Sequence, residues 1–519
     1  MDKNLRHQIG QMIIAGFPSL EVDEQACRLV EEYQVGNFIL FARNMKTARQ
    51  TAAMCSDLSR MTFDKLGVAP FIAADQEGGM VSRITEGAAL FPGAMAIAAG
   101  ATEEQARQVG KNCGEMLRAL GVNVNFAPVM DVNIEPMNPI IGTRSYGDDP
   151  QKVADLGCAV MEGMVEGGVI ATLKHYPGHG NVKTDSHLDL PVNDTDPAVL
   201  EDTEFLPFKQ AFDRGAPALM SCHIVFPKLD PQLPATLSPA IVGDLLRNKQ
   251  GFQGLVFTDC MEMDAIRKGW GTAQGAVLAV AAGCDVLCIS HHEEAVRDAV
   301  EAIEQAVESG EIPRSRIQEA YDRIVQLKKK MGLMKKQTIS AEAADAIIHQ
   351  EDKLALHKRV SLNSVTLLQG STDAFLQAKQ PVVICPVSFA ATGVEDPEHN
   401  GLSFAARLAA QLDCPFLEPA MTPSEEQIAA AVEQAQKADC VVLGLYNARF
   451  RDSQIALLRA LEALDVPLVI ITVGGPCDVQ CVRRADAVIA LYEYTALSVS
   501  SAITALRTGQ FGGKAPMQL

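Results

Sequence analysis

One loop of the sequence concentrates ionisable side chains at a density that favours acid–base chemistry. Residues 173–191 read LKHYPGHGNVKTDSHLDLP and contain three histidines, two aspartates and two lysines. Asp185 and His187 stand two residues apart, and a carboxylate on one imidazole nitrogen leaves the other nitrogen to exchange a proton with a substrate. The two residues are therefore a candidate acid–base dyad. The alternative is a solvated surface loop whose histidines and aspartates only cap turns.

A second candidate is the carboxylate of Asp259, which ends the apolar run in GFQGLVFTDCMEMDAI. A carboxylate at the carboxyl end of a barrel strand is well placed to attack or stabilise a cationic centre. In glycoside chemistry this is the place of the nucleophile. The alternative role for Asp259 is to cap the helix that follows.

Two further segments provide groups that can hold sugar hydroxyls. Asp75 ends an apolar run before QEGGMVSR, where Gly78 and Gly79 allow a tight backbone turn. A carboxylate accepts two hydrogen bonds from a vicinal diol, although Asp75 is also a candidate helix cap. Arg144, in IGTRSYG, is either a surface ion pair or a ligand contact.

These residues follow short apolar runs that alternate with helix-like segments, a pattern typical of βα units and a parallel sheet. Eight such runs precede residue 330, which is the number that a (β/α)8 barrel needs, and the chemistry of such a barrel lies where its strands end. The predicted strands are residues 11–15, 37–41, 70–74, 122–127, 169–173, 218–222, 255–257 and 285–289. The polar residues at their ends are Arg43, Asn44, Asp75, Asp131, Lys174, His175, His223 and Asp259.

The rest of the chain predicts a second, smaller domain. Residues 336–360 are charged and helix-prone, which indicates a helical linker after a catalytic barrel of residues 1–335. Residues 361–519 then resemble a doubly wound α/β domain. Its predicted strands are residues 365–368, 382–386, 440–445, 468–473 and 487–492, with helices near 425–437 and 453–463. The absence of GxGxxG after the first of these strands argues against a dinucleotide site.

Charge and cysteine content exclude several function classes. The chain has 45 Lys and Arg against 64 Asp and Glu, a net charge of −19, so bulk electrostatics exclude binding to nucleic acid or an anionic membrane. Its 13 cysteines lack CxxC spacing and are expected to be small core residues in a reducing compartment. The sequence has no signal-peptide pattern and no apolar run of ~18 residues, from which we expect a cytoplasmic protein.

A series of motifs in order resembles the β-N-acetylhexosaminidases of glycoside hydrolase family 3, in the two-domain form of the NagZ-like branch. The KHYPGHG loop with its DSH sequence separates this branch from the β-glucosidases of the same family. The other motifs are FILFARN at 38–44, ADQEGG at 74–79, NFAPVMDVN at 125–133, IGTRSYGDDP at 141–150, PATLS at 234–238 and GFQGLVFTD at 251–259.

The resemblance implies a retaining, two-step glycosidase that uses no metal or organic cofactor. It implies that Asp259 is the nucleophile and that His187, oriented by Asp185, is the acid–base group. The implied substrate is a β-linked GlcNAc unit in a peptidoglycan fragment, such as GlcNAc-MurNAc or GlcNAc-anhydroMurNAc, or in a chitooligosaccharide. The implied sugar contacts are Asp75, Arg144, Lys174 and His175, with less definite roles for Asp131 and His223.

The chain departs from the family pattern at a few positions. Many relatives carry Arg where this chain has Met80, so any contact through that side chain is lost. Cys260 stands where a second Asp often follows the nucleophile. Asn181 and Val182 replace a common Asp-Thr pair, which puts the shape of the loop in doubt.

Three other functions stay open at this point. A phosphorylase on the same scaffold would use phosphate in place of water, and a neutral imidazole would not repel the phosphate dianion. A metal-dependent barrel hydrolase is suggested by the histidines of the barrel but disfavoured, because no ligand set has zinc-site spacing. The third is a sugar-binding protein without catalysis.

Overall fold

The computed structural model describes residues 2–84, 88–183, 190–348, 350–386 and 403–519. The first eight strands close into a parallel barrel in which β8 pairs back to β1. The predicted barrel is therefore confirmed. Its strands are β1 (Ile13–Ala15), β2 (Asn37–Leu40), β3 (Phe71–Ala74), β4 (Val124–Asn125), β5 (Ile170–Tyr176), β6 (Ala218–Ser221), β7 (Leu255–Cys260) and β8 (Val286–Ile289).

Helices with clear start and stop signals accompany these strands. The hydroxyl of Thr102 accepts a hydrogen bond from the backbone N–H of Gln105 at the start of the fifth helix, and Gly121 ends that helix with a φ of 89°. The helices are α1 (Lys3–Gln11), α2 (Glu24–Glu31), α3 (Ala48–Leu66), α4 (Ala94–Gly100), α5 (Glu103–Leu120), α6 (Pro150–Glu166), α7 (Pro197–Asp202), α8 (Phe205–Asp213), α9 (Asp264–Arg267), α10 (Thr272–Ala282), α11 (Glu293–Ser309) and α12 (Arg314–Lys330). A π-helical segment, Pro239–Lys249, lies between β6 and β7.

The strands are apolar because both of their faces are buried, one by the helices and one by the barrel interior. Phe126 and Phe257 illustrate the interior packing, with ring centroids 5.4 Å apart and almost no exposure. Two strands extend further than the sequence predicts. β5 reaches Tyr176 and β7 reaches Cys260, so that Lys174, His175 and Asp259 lie within the last residues of their strands.

The second sheet has six strands in the order β11-β10-β12-β13-β14-β9. All five predicted strands are present, and the structure adds β11, a two-residue strand that is too short to give a sequence pattern. β9 pairs antiparallel with β14 at one edge, whereas the other pairs are parallel. The strands are β9 (Thr366–Gly370), β10 (Pro381–Ile384), β11 (Phe416–Leu417), β12 (Cys440–Leu445), β13 (Leu468–Thr472) and β14 (Ala487–Ala490).

The remaining helices connect and cover this sheet. Two of them, α13 (Ala341–Ile348) and α14 (Glu351–Ser364), lie mainly in the segment proposed as a linker. The others are α15 (Asp373–Gln377), α16 (Phe404–Leu412), α17 (Glu425–Ala435), α18 (Asp452–Glu462) and α19 (Ala496–Thr508). Because α13 packs on α3 and α5, and α14 packs on both α4 and α19, the segment joins the barrel to the second sheet by direct contact.

None of the helices in the described ranges is both long and apolar enough to cross a lipid bilayer.

Candidate active site

The carboxyl ends of the barrel strands surround a cavity of about 540 Å³. The strand ends meet there because all eight strands are parallel, which brings together residues that are far apart in the sequence. The predicted site residues that line this cavity are Asp75, Arg144, Lys174, His175 and Asp259.

Asp75 follows β3 and lies between two cations. Its Oδ1 accepts a hydrogen bond from Nζ of Lys174 at 2.8 Å, and its Oδ2 accepts one from Nη2 of Arg83 at 3.1 Å. Burial alone would raise the pKa of the Asp75 carboxyl, but the two cations outweigh burial and hold the pKa well below its usual range. The two cations therefore favour the ionised form of Asp75.

Glu77 extends this network by a second pair of contacts. Its carboxylate accepts hydrogen bonds from Nε and Nη2 of Arg144 at 2.9 and 2.8 Å, a bidentate arrangement. Nζ of Lys174 lies 2.7 Å from the same carboxylate. Burial raises the pKa of Glu77, and the stronger effect of Arg144 and Lys174 lowers it to about 2. Lys174 thus bridges two buried carboxylates, and we call Asp75, Glu77, Arg144 and Lys174 the sugar wall.

His175 is fixed by a buried carboxylate. Its Nδ1 lies 2.7 Å from Oδ2 of Asp131, and its backbone N–H donates to Oδ1 of the same residue at 3.1 Å. Asp131 is fully buried and does not line the cavity. It acts on the site through His175, because it sets which ring nitrogen carries the proton. Burial tends to raise the pKa of Asp131, but the His175 ring outweighs it and the pKa is lowered.

His223 was predicted as a substrate contact, and the structure places it outside the cavity lining. Its Nδ1 lies 2.9 Å from the hydroxyl of Thr236, and its Nε2 lies 3.0 Å from the backbone oxygen of Cys260. Both ring nitrogens therefore contact protein groups. The ring supports the end of β7, next to Asp259, from beneath.

Asp259 lines the cavity from β7, which stands four strands from β3 in the closed barrel. Its side chain is half-buried, and its Oδ1 accepts a hydrogen bond from the backbone N–H of Cys260 at 2.7 Å. Asp259 is thus on the opposite side of the barrel axis from Asp75.

The predicted dyad of Asp185 and His187 lies outside the described residues. The described part of its loop is anchored at its start, where the backbone N–H of His179 donates to Oδ1 of Asp131 at 2.7 Å. Gly180 passes so close to the chain that a Cβ there would lie 1.7 Å from the backbone oxygen of Val132. His179 is buried, and burial lowers the pKa of its ring to about 4.

Sequence reasoning missed four charged residues of the cavity: Glu77, Arg83, Glu262 and Asp264. Glu77 stands two residues after Asp75, and this spacing at a strand end was an available signal. Glu262 follows β7 and holds the loop after β8, since its Oε2 accepts hydrogen bonds from the backbone N–H groups of Ser290 and His291 at 2.6 and 2.7 Å.

Within the described ranges, the second sheet and its helices contribute no side chain to the cavity lining. They do contact the loops that carry the sugar wall. Oε2 of Glu493 accepts a hydrogen bond from the backbone N–H of Gly93 at 2.8 Å and would lie 2.9 Å from a Cβ at Gly79. The Sδ of Met80 lies 3.4 Å from the backbone nitrogen of Tyr494, so Met80 packs against the second domain rather than into the cavity.

The sequence matches a family profile described as "Glycosyl hydrolase family 3 N terminal domain" over residues 4–327. Two curated relatives are each 31% identical. One is the beta-hexosaminidase A of Pseudoalteromonas piscicida, aligned over 65% of this chain and 60% of that protein. The other is the beta-hexosaminidase of Nitrosomonas eutropha, aligned over 56% of this chain and 85% of that protein. The chain thus spans less than two thirds of the first relative.

A solved structure extends the similarity to both domains. A glycoside hydrolase family 3 beta-N-acetylglucosaminidase from Paenibacillus sp. str. FPU-7 is 35% identical, with a TM-score of 0.94 and coverage of 99% of each chain.

Proposed function

The chain belongs to glycosyl hydrolase family 3, and from this premise we propose that it is a retaining β-N-acetylglucosaminidase that removes terminal GlcNAc from a β-linked substrate. The observation that carries the proposal is the position of Asp259, a half-buried carboxylate on the opposite side of one cavity from an ion-paired sugar wall. An oxocarbenium-like transition state needs a nearby anion, and the sugar that develops this charge must be held against it.

In the first step the carboxylate of Asp259 attacks the anomeric carbon while the glycosidic bond breaks. The departing oxygen takes a proton from His187, which Asp185 orients in this proposal. In the second step His187 removes a proton from water, and the water oxygen displaces Asp259 from the anomeric carbon. Two inversions at the same carbon give net retention.

Unused hydrogen-bonding capacity in the sugar wall supports its role in binding. An ammonium group has three donors, and Lys174 gives two to Asp75 and Glu77, which leaves one for a sugar hydroxyl. A carboxylate has about four acceptor sites, of which the contacts of Asp75 with Lys174 and Arg83 take two. The wall can therefore bind hydroxyls without breaking its own ion pairs.

His175 is proposed to contact the sugar through Nε2. In the tautomer whose Nδ1–H donates to Asp131, Nε2 is a hydrogen-bond acceptor. Asp131 is a positioning residue in this scheme, and His223 supports β7 without touching the substrate.

Mechanism-based labelling tests the proposal most directly. A 5-fluoro donor of GlcNAc slows both steps and should leave a glycosyl adduct, which peptide mapping should place on Asp259. Asp264 lies in the same cavity and on the same segment, so it is an internal control for non-specific labelling. An adduct on Asp264, or on any residue other than Asp259, would contradict the mechanism.

Product analysis then separates hydrolysis from the alternative reactions. With GlcNAc-anhydroMurNAc, chitobiose and an aryl β-GlcNAc as substrates, we expect free GlcNAc both in phosphate and in phosphate-free buffer. GlcNAc 1-phosphate as the main product in phosphate would identify a phosphorylase. Full activity after treatment with a strong chelator would exclude the metal-dependent hydrolase. The disaccharide with the highest kcat/KM decides between peptidoglycan fragments and chitooligosaccharides.

The cytoplasmic location expected from the sequence stays a prediction, which fractionation of the native cells would check.

A further inference from the structure

The loop after β4 contacts the described start of the loop in which the acid–base dyad was predicted. We call residues 133–141 the β4 loop and residues 177–191 the acid–base loop. Nδ2 of Asn138, in the β4 loop, donates a hydrogen bond to the backbone oxygen of His179 at 2.8 Å. A backbone N–H of the β4 loop also donates to the backbone oxygen of Gly180 at 3.2 Å. The two loops are therefore joined just before the predicted dyad in the chain.

The other side of the Asn138 amide supports Arg144 of the sugar wall. Its Oδ1 accepts hydrogen bonds from the backbone N–H groups of Ile140 and Ile141 at 3.0 and 2.8 Å. The backbone oxygens of the same two residues accept hydrogen bonds from Arg144, one from Nη1 at 3.2 Å and one from the backbone N–H at 2.8 Å. One side chain thus connects the segment that holds Arg144 to the acid–base loop.

Only an amide satisfies both sides of this contact. Oδ1 faces two N–H donors and Nδ2 faces a carbonyl acceptor, so the partners fix the orientation of the amide. Asn138 is 2% exposed, and solvent therefore does not replace a lost partner. A carboxylate in this place would still accept from Ile140 and Ile141, but it would repel the backbone oxygen of His179.

We propose that Asn138 is a positioning residue that fixes the acid–base loop relative to Arg144, and thereby fixes the acid–base group relative to the bound sugar. The proposal rests on the roles that the proposed function gives to Arg144 and His187. A general acid must lie within hydrogen-bond reach of the departing oxygen, and a misplacement of about 1 Å can cost about 100-fold in rate. Asn138 is not part of the cavity lining, so it acts through the two loops.

Asn138→Asp separates the two sides of the contact, because it keeps the acceptor and removes the donor to His179. On a disaccharide, whose departing oxygen needs a proton, kcat/KM should fall by about 10- to 100-fold. On nitrophenyl β-GlcNAc, whose leaving group needs no proton, kcat/KM should fall by less than about threefold. Asn138→Ala also removes the support of Arg144 and should lower kcat/KM on both substrates.

The pH profile of Asn138→Asp is a readout that a general loss of stability would not change. When the introduced carboxyl is protonated, it can again donate to the backbone oxygen of His179. The activity of this variant on the disaccharide, relative to wild type, should therefore rise as the pH falls. Asn138→Ala introduces no titrating group, so its ratio to wild type should not rise in this way. The titratable groups near the contact are common to all three proteins: Asp131, Glu135, Arg144, His175, His179 and Lys183.

Asn123→Asp is the matched control for burying a carboxyl. Asn123 precedes β4 at the opposite end of the barrel and is 3% exposed. Its Oδ1 accepts from the backbone N–H of Ile72 at 3.0 Å, and its Nδ2 donates to the backbone oxygen of Pro70 at 3.1 Å. Asn123→Asp should lower the melting temperature and leave the ratio of the two kcat/KM values unchanged.

Hydrogen exchange tests the contact between the loops without a substrate. The backbone amides of residues 178–183 should exchange faster in both Asn138 variants than in wild type or in Asn123→Asp. Faster exchange together with a selective loss on the disaccharide supports the proposal. Unchanged exchange, or equal losses of Asn138→Asp on the two substrates, overturns it. A wild-type protein that hydrolyses no β-GlcNAc substrate would contradict the proposed function, whereas the exchange rates would still decide whether Asn138 holds the acid–base loop.

Discussion

The two walls of the cavity hold their charges in different ways. In the sugar wall, Lys174 lies 2.8 Å from Asp75 and 2.7 Å from Glu77, and Arg144 makes a bidentate contact with Glu77. On the β7 side, Asp259 accepts a hydrogen bond from a neutral backbone N–H. The carboxylates of the first wall are paired with Lys174 and Arg144, whereas the Asp259 carboxylate is hydrogen-bonded to the backbone at the end of its strand.

This difference corresponds to two demands of the proposed reaction. Groups that bind a neutral sugar should keep a fixed charge and geometry, and the cations beside Asp75 and Glu77 favour the charged form by lowering the pKa of each carboxyl. A nucleophile must instead release its electron pair to the anomeric carbon. In the proposed reaction, the sugar wall is therefore the binding side of the cavity, and the β7 wall that carries Asp259 is the reacting side.

The largest effect is expected from removing the reacting carboxylate. Asp259→Ala should reduce turnover of an aryl β-GlcNAc by about 10⁴-fold or more, because one anion both stabilises the transition state and forms the covalent intermediate. The melting temperature should change little, since the side chain is only half-buried. Asp264→Ala, a change of the same type in the same cavity, should retain most of the activity. Equal losses in the two variants would contradict the assignment of Asp259.

The fold could be predicted from the sequence for a physical reason. Parallel strands that are buried on both faces must be apolar throughout, so β1–β8 stand out as apolar runs between amphipathic helices. The same reasoning explains the errors. At the barrel mouth, Lys174, His175 and Asp259 interrupt the apolar pattern, although the backbone is still paired there, and the predicted strands therefore end too early.

The site was harder to predict because its contacts join distant segments. In the sequence, Glu77 is a polar residue before a Gly-Gly turn. Its contacts depend on Arg144, from the segment between β4 and α6, and on Lys174, from β5. His223 was placed correctly at the end of a strand, but the sequence does not show which way a ring points. The structure directs this ring to Thr236 and Cys260.

The next largest effect is expected for the acid–base group of the reacting side. His187→Ala should cost about 10²- to 10⁴-fold on a disaccharide, because its departing oxygen needs a proton. A nitrophenolate leaves unaided, so an aryl substrate should show a burst followed by slow deglycosylation, and azide should restore turnover as the β-glycosyl azide.

Asp185→Asn should have a milder effect than His187→Ala on poor leaving groups, because it weakens only the orientation of the ring. Equal losses on aryl and disaccharide substrates, without burst or azide rescue, would move the acid–base role to another group. His179 would then be the first candidate to test, because it lines the cavity.

A substitution in the sugar wall should have an intermediate effect on activity. Lys174→Met removes the cation between two buried carboxylates, and the loss of hydrogen bonds to charged groups should lower kcat/KM by about 10- to 100-fold. Stability should fall by about 1.5–3 kcal/mol, because Asp75 and Glu77 each lose one charged hydrogen-bond donor and keep only Arg83 and Arg144, respectively.

A double-mutant cycle tests whether the lost stability comes from the contact between Lys174 and Glu77. Glu77→Gln removes one of the two carboxylates that contact Lys174, so the Lys174→Met and Glu77→Gln double variant should be more stable than the sum of the single changes predicts. Simple additivity, measured by urea unfolding, would show that Lys174 and Glu77 do not act as a pair.

The pH dependence of the free energy of unfolding should distinguish the contribution of the sugar wall from the contribution of the loop that begins at His179. The pKa of Glu77 is lowered from 4.5 to about 2, so its contribution is complete above pH 4.5 and is lost as the pH falls toward 2. The pKa of His179 is lowered from 6.5 to about 4, because burial disfavours the charged ring. In the unfolded chain this ring takes up a proton below pH 6.5, so the free energy of unfolding falls between pH 6.5 and 4.

Urea unfolding at a series of pH values checks both windows. Glu77→Gln should flatten the profile only below pH 4.5, and His179→Gln only between pH 6.5 and 4. In His179→Gln, part of the fall in unfolding free energy between pH 6.5 and 4 should remain, because the pKa of the buried His357 is also lowered to about 4. Wild-type profiles in both variants would contradict the pKa directions.

The smallest effect is expected from the second domain, whose described residues contact the binding side without lining the cavity. Glu493 is 2% exposed, and its Oε2 accepts the backbone hydrogen bond of Gly93 beside the Gly79 turn that follows Asp75 and Glu77. Glu493→Ala leaves the backbone N–H of Gly93 without its acceptor, which should lower the free energy of unfolding by about 1–3 kcal/mol. If the Gly79 turn shifts and weakens sugar binding by a fraction of this energy, KM should rise by about fivefold with little change in kcat. Glu493→Gln keeps an oxygen acceptor and should behave like the wild type. If Glu493→Ala lowered the melting temperature and left KM unchanged, the second domain would stabilise the barrel without positioning the sugar wall. The geometry of both walls would then depend on the barrel alone.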